Sequence, residues 1–474
     1  MRDTAKFCVF GINDKFYLYD WNRIESYGIS QEIFDYLSSV KDFTKEMFVR
    51  DLRLNYAGFK KGIITLLDEG RLYYDDNESH DEQLIDISTI NITCGIGYKC
   101  NLDCEYCVLK EQKRVFDNIN EAELITNLVH LIEKLYSRYK EIRVTITDGG
   151  EPFLFRSQLF ELMEKLKIID IQKKVKLTVV TNGTVFDEEI LRILDDNMSS
   201  IVFSLDGHLD NTSLRKSKDK SNNYEISKNN YEKFQEILRS KISKNIWAIT
   251  VINAKTQSLV STLNDLYAIG FRTIQMRIIK GYKDSIGLNK SNLEHFCKLY
   301  DELFAFFREN IEKGEEAYLK AILNNGDFAG QLFAPLLLGR AKFKHCLGAY
   351  STISIDHEGK IFPCSFLNGN QESEVKAFEE ADNVVEKYRN LDIYTSKYCR
   401  DCWASTVCGG HCPYQSMQGG YDYDKPDPAM CELTKHVIKN LICLIDYMES
   451  ANFQMYENVY NFVKKRTYIY DLLE

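Results

Sequence analysis

Six apolar, β-branched runs, at residues 87–93, 142–147, 175–181, 201–205, 246–252 and 273–279, alternate with segments of helical periodicity. Short apolar runs of this kind read as strands buried on both faces. Between the first and second, Leu124, Ile125, Leu128, Leu131, Ile132 and Leu135 fall on one helical stripe. Leu159, Phe160, Leu162, Met163 and Leu166 form the next. Repeated strand–helix units predict parallel strands covered by helices, because a crossover to a parallel neighbour needs the length of a helix. The expected fold class is therefore α/β, with its chemistry at the carboxyl ends of the strands.

A chain of 474 residues suggests roughly two to four domains. Apolar content of 44% and only six prolines fit folded rather than disordered structure. A formal charge of −10 offers no overall nucleic-acid surface, although it leaves room for a local basic groove. No apolar run is long enough for a membrane span, and residues 1–18 do not read as a signal peptide. Fourteen cysteines in that context argue for metal ligation in a reducing cytoplasm rather than for disulfides.

The cysteines are grouped. Cys100, Cys104 and Cys107 lie in Cys-Asn-Leu-Asp-Cys-Glu-Tyr-Cys, just after the first strand-like run, and seven more fall between Cys346 and Cys431. Cys8, Cys94, Cys297 and Cys443 read as core residues, with Cys94 close enough to the triplet to pack beneath it. Thiolates at x3 then x2 spacing suit three irons of a 4Fe–4S cube and leave the fourth iron without a protein ligand. Such an open position marks a reactive rather than a structural metal site. Three core cysteines, or half of a zinc site, are the readings that the triplet alone leaves open.

Polar motifs stand at the other strand ends. Asp148-Gly149-Gly150-Glu151-Pro152 follows the second run; its glycines admit close backbone approach, and Glu151 can pair with an ammonium. The third run ends in the turn sequence Thr181-Asn182-Gly183. The fourth reads Phe203-Ser204-Leu205-Asp206-Gly207, which puts Ser204 and Asp206 on one face, with Arg215 soon after. Taken singly, these are also a polar strand end and a surface arginine. Together with the triplet they resemble the radical SAM family, whose fold is a partial (β/α)6 barrel. The resemblance implies that the triplet cluster chelates S-adenosylmethionine (SAM) through its open iron. It further implies that the Gly149, Gly150, Glu151 segment holds the SAM amino group. Asn182 matches the family pattern, and Ser204, Asp206 and Arg215 would belong to the shell around ribose and carboxylate. Tyr106, inside the triplet loop, is placed to contact the adenine or to pack as a plain aromatic.

The C-terminal cysteines resemble a second pattern, the SPASM domain. Cys346 is followed by Gly359-x4-Cys364, then Cys399-x2-Cys402-x5-Cys408-x3-Cys412, and finally Cys431. A zinc ribbon would not require the x5 and x3 spacings. The resemblance implies two auxiliary 4Fe–4S clusters, one on Cys399, Cys402, Cys408 and Cys431 and the other on Cys346, Cys364 and Cys412. Some relatives carry an eighth cysteine shortly before the first; here residues 338–345 contain none, and His345 or an open iron takes that place.

Residues 1–85 read as a hairpin over 6–12 and 15–21, a helix over 29–40, helices over 43–52 and 60–67, and a returning strand at 70–74. Their order and size resemble a winged-helix, PqqD-like domain that captures leader peptides, which would bind as a strand added to an open sheet edge. A structural cap on the barrel is the plainer reading of the same residues. The expected divisions are 1–85 for leader recognition, 86–300 for the barrel, 301–345 for a helical bridge, 346–435 for the SPASM unit and 436–474 for a closing helical segment.

These resemblances imply a cytoplasmic radical SAM peptide maturase with three 4Fe–4S clusters. Its reduced triplet cluster would cleave SAM to a 5′-deoxyadenosyl radical that abstracts hydrogen from a ribosomally made precursor peptide. Closing an intramolecular crosslink releases one further electron, for which an auxiliary cluster is the implied acceptor. A thioether is favoured over a carbon–carbon bond, because a substrate thiolate suits the position left by the missing eighth cysteine. Flavodoxin or ferredoxin is the expected electron donor, and neither nucleic acid nor membrane is an expected partner. The alternatives are an anaerobic sulfatase-type maturase that makes formylglycine, and a non-catalytic iron–sulfur electron carrier or zinc-stabilised module. The second of these leaves Gly149, Gly150, Glu151, Ser204 and Asp206 without a role.

Overall fold

The computed structural model describes residues 3–39, 65–67, 69–75, 88–111, 121–147, 149–196, 200–207, 214–219, 223–238, 246–281, 286–376 and 383–471. At its centre the six apolar runs form six parallel strands in chain order. They are β6 (Thr89–Cys94), β7 (Glu141–Ile146), β8 (Val175–Thr181), β9 (Ser200–Ser204), β10 (Ile246–Ile252) and β11 (Ile274–Ile278). Helices Glu121–Tyr136, Arg156–Ile169, Glu188–Asp196, Asn223–Ile237 and Leu259–Ile269 make the crossovers. Ile90, Ile92, Ile142, Val144, Val179, Ile201, Phe203 and Ala248 are fully buried, the residues that made those runs apolar. Phe203 anchors an aromatic group with Phe234, Tyr231 and Phe271, at ring-centroid distances of 5.0, 5.6 and 5.7 Å.

The sheet does not stop at β6. A short strand from the C-terminal part, β12 (Thr352–Ile355), pairs with β6 in parallel, from Thr352 opposite Asn91 to Ile355 opposite Cys94. β13 (Ile361–Phe362) then pairs antiparallel with β12 and ends an eight-stranded sheet. Ser354 is fully buried, its hydroxyl donating to the Thr93 carbonyl at 3.2 Å. The barrel edge at β6 is thus covered by the segment that carries Cys346 and Cys364.

At the N-terminus β2 (Phe7–Ile12) and β3 (Lys15–Asp20) form the expected hairpin, joined by Asn13 and Asp14, both at positive φ. Positive φ at both central residues is what a tight two-residue hairpin turn demands. A third strand, β4 (Glu25–Ile29), extends the hairpin, and the returning strand β5 (Tyr73–Asp75) pairs instead with β1 (Asp3–Ala5). The sequence reading named neither β1 nor β4 and no partner for the returning strand, since strands this short carry little periodicity. The helix expected over 29–40 spans Gln31–Ser39. The helix expected over 43–52 lies outside the described residues, and of that over 60–67 only 65–67 are described, as helix.

β3 explains how this unit is attached. Leu18 faces a small core with Leu37, Leu67 and Leu72, whereas Tyr17 and Tyr19, on the opposite face, join the main core. There Tyr19 packs edge-on to Trp403 at 6.0 Å, Phe10 stacks on Trp403 at 6.4 Å, and Tyr17 donates to Asp446 at 3.0 Å. The expected division at 300/301 falls inside helix Leu293–Lys313, and that at 435/436 inside helix Pro428–Ala451. These two helices pack on each other, so neither is a hinge. Among the described residues no helix is long and apolar enough to cross a membrane.

Candidate functional site

The triplet loop leaves the end of β6 and is clamped from two sides. On one side Gly150 N donates to the Gly97 carbonyl at 2.6 Å and Glu151 N to the Lys99 carbonyl at 2.9 Å. On the other, Asp103 N donates to the Lys216 carbonyl at 2.7 Å and Glu105 N to the Leu214 carbonyl at 2.8 Å. An added Cβ at Gly149 would overlap the Gly97 carbonyl, and one at Gly150 would overlap the Lys99 carbonyl. The glycine pair therefore makes room for the cysteine loop itself, where the sequence had suggested room for a ligand.

Glu151 is held by protein donors. Its carboxylate accepts from the Thr181 hydroxyl at 2.6 Å, from Asn182 N at 2.7 Å and from Phe153 N at 3.2 Å. Burial pushes its pKa above the usual carboxylate range, and those three donors oppose the shift. The side chain is spent on joining the ends of β7 and β8. Asn182 is the link onward: its Nδ2 donates to Asn101 Oδ1 at 2.9 Å and lies 3.9 Å from Cys100 Sγ. Thr181 and Asn101 were not singled out from sequence; the turn sequence around Asn182 was the only available signal.

Ser204, Asp206, Arg215 and Tyr106 come together on the other flank. Asp206 accepts from the Tyr106 hydroxyl, from Val251 N at 3.1 Å and from the Thr250 hydroxyl at 3.3 Å. Arg215 Nη1 donates to Tyr106 Oη at 3.1 Å and to Ser204 Oγ at 2.9 Å. The Tyr106 hydroxyl is thus occupied by protein groups, and burial, the largest cause, pushes it well above its ordinary range. Arg215 is only 4% exposed, yet its Nε has no hydrogen-bond partner among the described residues. A buried guanidinium donor left unmatched suits an anionic ligand group such as the SAM carboxylate. Cys104 lies within electrostatic reach of Arg215, Cys107 and Cys100, with its thiol pushed up to about 11, mainly by burial.

The seven C-terminal cysteines divide into two groups. Cys364 feels Cys412 and Cys346; Cys431 feels Cys408, Cys402 and Cys399. Burial raises the Cys364 and Cys408 thiols to about 12, so ligation there would displace bound protons. Cys412 directly precedes helix Pro413–Gln418, and Cys431 lies in the first turn of helix Pro428–Ala451, where burial raises its thiol well above the ordinary range. Gly410 N donates to Cys408 Sγ at 3.3 Å. A cavity of about 260 Å³ reaches members of both groups, Cys346 and Cys412 on one side and Cys402, Cys408 and Cys431 on the other. His345 lines it as well, its imidazole held neutral with a pKa lowered to about 3, first by burial and then by Lys342 and Lys280.

Among the described residues no three His, Cys, Asp or Glu side chains are gathered closely enough to hold a single metal ion. Zinc would need four sulfurs within about 2.3 Å of one centre. Cys94 and Cys443 are buried in the core, Cys297 is half-buried on helix Leu293–Lys313, and Cys8 lies on β2 near Cys402.

Residues 95–263 match the family model described as the Radical SAM superfamily, so the chain carries a radical SAM domain. The chain is similar to the cysteine-type anaerobic sulfatase-maturating enzyme of Clostridium perfringens (strain ATCC 13124), 23% identical over 332 residues, 66% of this chain and 85% of that protein. It is also similar to the S-adenosylmethionine-dependent nucleotide dehydratase of Psychrobacter lutiphocae, 26% identical over 192 residues. That match spans 39% of this chain and 59% of the dehydratase. The solved structure of native anSMEcpe with bound AdoMet and Cp18Cys peptide shares the fold, with a TM-score of 0.62 and 18% identity over 76% of this chain and 99% of that chain.

Proposed function

We propose that this protein is a radical SAM peptide maturase that removes hydrogen from a ribosomally made precursor peptide and installs an intramolecular crosslink, a thioether in the first instance. One observation carries the reading: besides the triplet at the strand ends, seven further cysteines fall into groups of three and four, and members of both groups line one cavity. A single-cluster enzyme has no use for them. Bound at Cys100, Cys104 and Cys107, a 4Fe–4S cluster would supply reductive cleavage of SAM and, from it, hydrogen abstraction. Arg215 offers its free Nε to the SAM carboxylate, while Ser204, Tyr106 and Asp206 hold the guanidinium in place. Glu151, Thr181 and Asn182 fix the loop on which the cysteines stand, and burial on this side excludes water from the reacting atoms. Cys346, Cys364, Cys412 and Cys399, Cys402, Cys408, Cys431 would hold two auxiliary clusters. The three-thiol group is one short of four, which favours a product formed through a substrate thiol.

Peptide chemistry draws support from the fold shared with anSMEcpe, which was solved with a peptide bound. Coexpression with short open reading frames from the neighbouring genome, followed by mass spectrometry, is the test. The expected product is a peptide lacking two hydrogens, with one cysteine thiol no longer alkylatable. The similarity to a cysteine-type sulfatase-maturating enzyme supports a second reading, formylglycine formation. That product would lose its sulfur, whereas a thioether retains it.

Two narrower expectations follow. Ser204→Ala removes the acceptor held by Arg215 Nη1. A lost hydrogen bond to a charged group is worth about 1–3 kcal/mol, so SAM affinity should fall about five- to a hundredfold with iron retained. Titration calorimetry checks this, and unchanged affinity would leave Ser204 a structural residue. The leader peptide should add to an open edge of the β2–β3–β4 sheet, at β2 or β4. Hydrogen exchange should then slow over 7–12 or 25–29 when leader is added; a bound leader that protects neither edge would leave the unit a cap. Deleting residues 1–75 is a poorer test, since Phe10, Tyr17 and Tyr19 belong to the main core.

A further inference from the structure

Five strand ends, those of β6 to β10, deliver residues to the triplet site; the sixth delivers a cation elsewhere. Lys280 stands two residues past the end of β11. Its Nζ lies 5.1 Å from the centre of the Phe366 ring, and Phe366 follows Cys364 by two positions. Gly281 N donates to Gln415 Oε1 at 3.2 Å, which ties this strand end to the helix that starts after Cys412. Lys280 is an exposed residue that lines the cavity beside Cys346 and Cys412. Among the described residues no carboxylate is paired with it. The four-thiol group has cations of another kind, with Lys342 in reach of Cys408 from the loop before Cys346. Lys435 lies near Cys402 and Cys431, but its Nζ is 2.9 Å from Glu432 Oε1, which offsets its charge.

We propose that Lys280 sets the order of the two auxiliary reduction potentials, raising that of the centre on Cys346, Cys364 and Cys412 above that of the centre on Cys399, Cys402, Cys408 and Cys431. This rests on the reading of those thiols as cluster ligands. Reduction adds one electron to an already anionic centre, and an uncompensated cation close by stabilises the added charge. A lysine neutralised by its own glutamate does so far less. Lys280 touches no substrate in this arrangement; it acts through the cluster and is a tuning residue.

The test is a redox titration with dithionite as reductant, followed by electron paramagnetic resonance. It uses the full-length, iron-loaded chain carrying Cys100→Ala, Cys104→Ala and Cys107→Ala, so that only the C-terminal centres report. In Lys280→Met, and in Lys280→Gln read beside it, the higher midpoint should fall, with a reduction constant lower by about tenfold, or ~59 mV for one electron. The other midpoint should stay, and Lys280→Arg should keep both near their starting values. Lys435→Met should move the lower midpoint by less. Unmoved midpoints in both Lys280→Met and Lys280→Gln overturn the proposal, as does an equal fall of both centres. Cys346→Ala tests the underlying reading separately: it should remove one of the two signals, and survival of both would refute the three-thiol site itself.

Discussion

Replacing Cys100, Cys104 and Cys107 together by alanine is expected to abolish reductive cleavage of SAM while sparing about eight irons per chain, the content of two cubes. The three thiols stand on one short loop that follows β6. Cys399, Cys402, Cys408 and Cys431 are gathered by separate elements: helix Ser405–Cys408, the loop before it and the start of helix Pro428–Ala451. Losing the triplet therefore removes nothing that shapes the C-terminal groups. Iron per chain and 5′-deoxyadenosine released under dithionite are the two readouts. Undiminished release would overturn the assignment of the triplet, and loss of all iron would show that the sites do not load independently.

A single methyl group should do nearly as much. Gly150→Ala puts a Cβ into the Lys99 carbonyl, a backbone atom of the triplet loop that cannot rotate away. The clash can be relieved only by moving that loop, which breaks the bonds from Gly150 N to Gly97 and from Glu151 N to Lys99. Overpacking of this kind costs about 1–3 kcal/mol or more. Here the strain falls on cysteines that must meet a cube. The expected result is loss of about four irons per chain and at least about a hundredfold less SAM cleavage, with the C-terminal centres intact. A Gly150→Ala protein with full iron content and normal cleavage would show that the loop has slack. Gly70→Ala is a control for the substitution, since no atom stands within 4 Å of its added Cβ, although its φ of +69° disfavours side chains.

The central sheet was legible because parallel strands buried on both faces leave an unbroken apolar record. β8 and β10 span the residues read from sequence, and the other four shift by one or two positions. The same record placed the cysteine loop and the polar motifs at one end of the sheet. What stayed illegible depends on distant partners. β12 has four residues, Thr-Ile-Ser-Ile, and nothing in them names β6 as neighbour. The motif at Gly149 and Gly150 was visible, but not that the atoms passing close by belong to the chain. Resemblance put Arg215 in the SAM shell and its residue type alone read as a surface arginine; it is buried where Ser204, at the end of β9, and Tyr106, in the triplet loop, come to it. Lys280 carried no motif at all, and only the convergence of β11 with the Cys364 and Cys412 loops shows its neighbours.

The pairing of Asn91 with Thr352 has a consequence for how the chain is made. During synthesis β6 appears early, with one side waiting for a strand that emerges only after the whole barrel. Until then that side is a row of unsatisfied amides able to recruit any extended segment. Closing so long a loop is slow compared with the local strand–helix steps. A cluster on Cys346, Cys364 and Cys412, as proposed, would then load only after β12 has paired, since the loop leading to Cys364 follows that strand. A chain stopped before residue 346 should keep the triplet yet be prone to aggregate through β6. Pairing of β12 with β6 would thus act as a checkpoint on assembly, linking an ordered barrel edge to the arrival of the C-terminal cysteines.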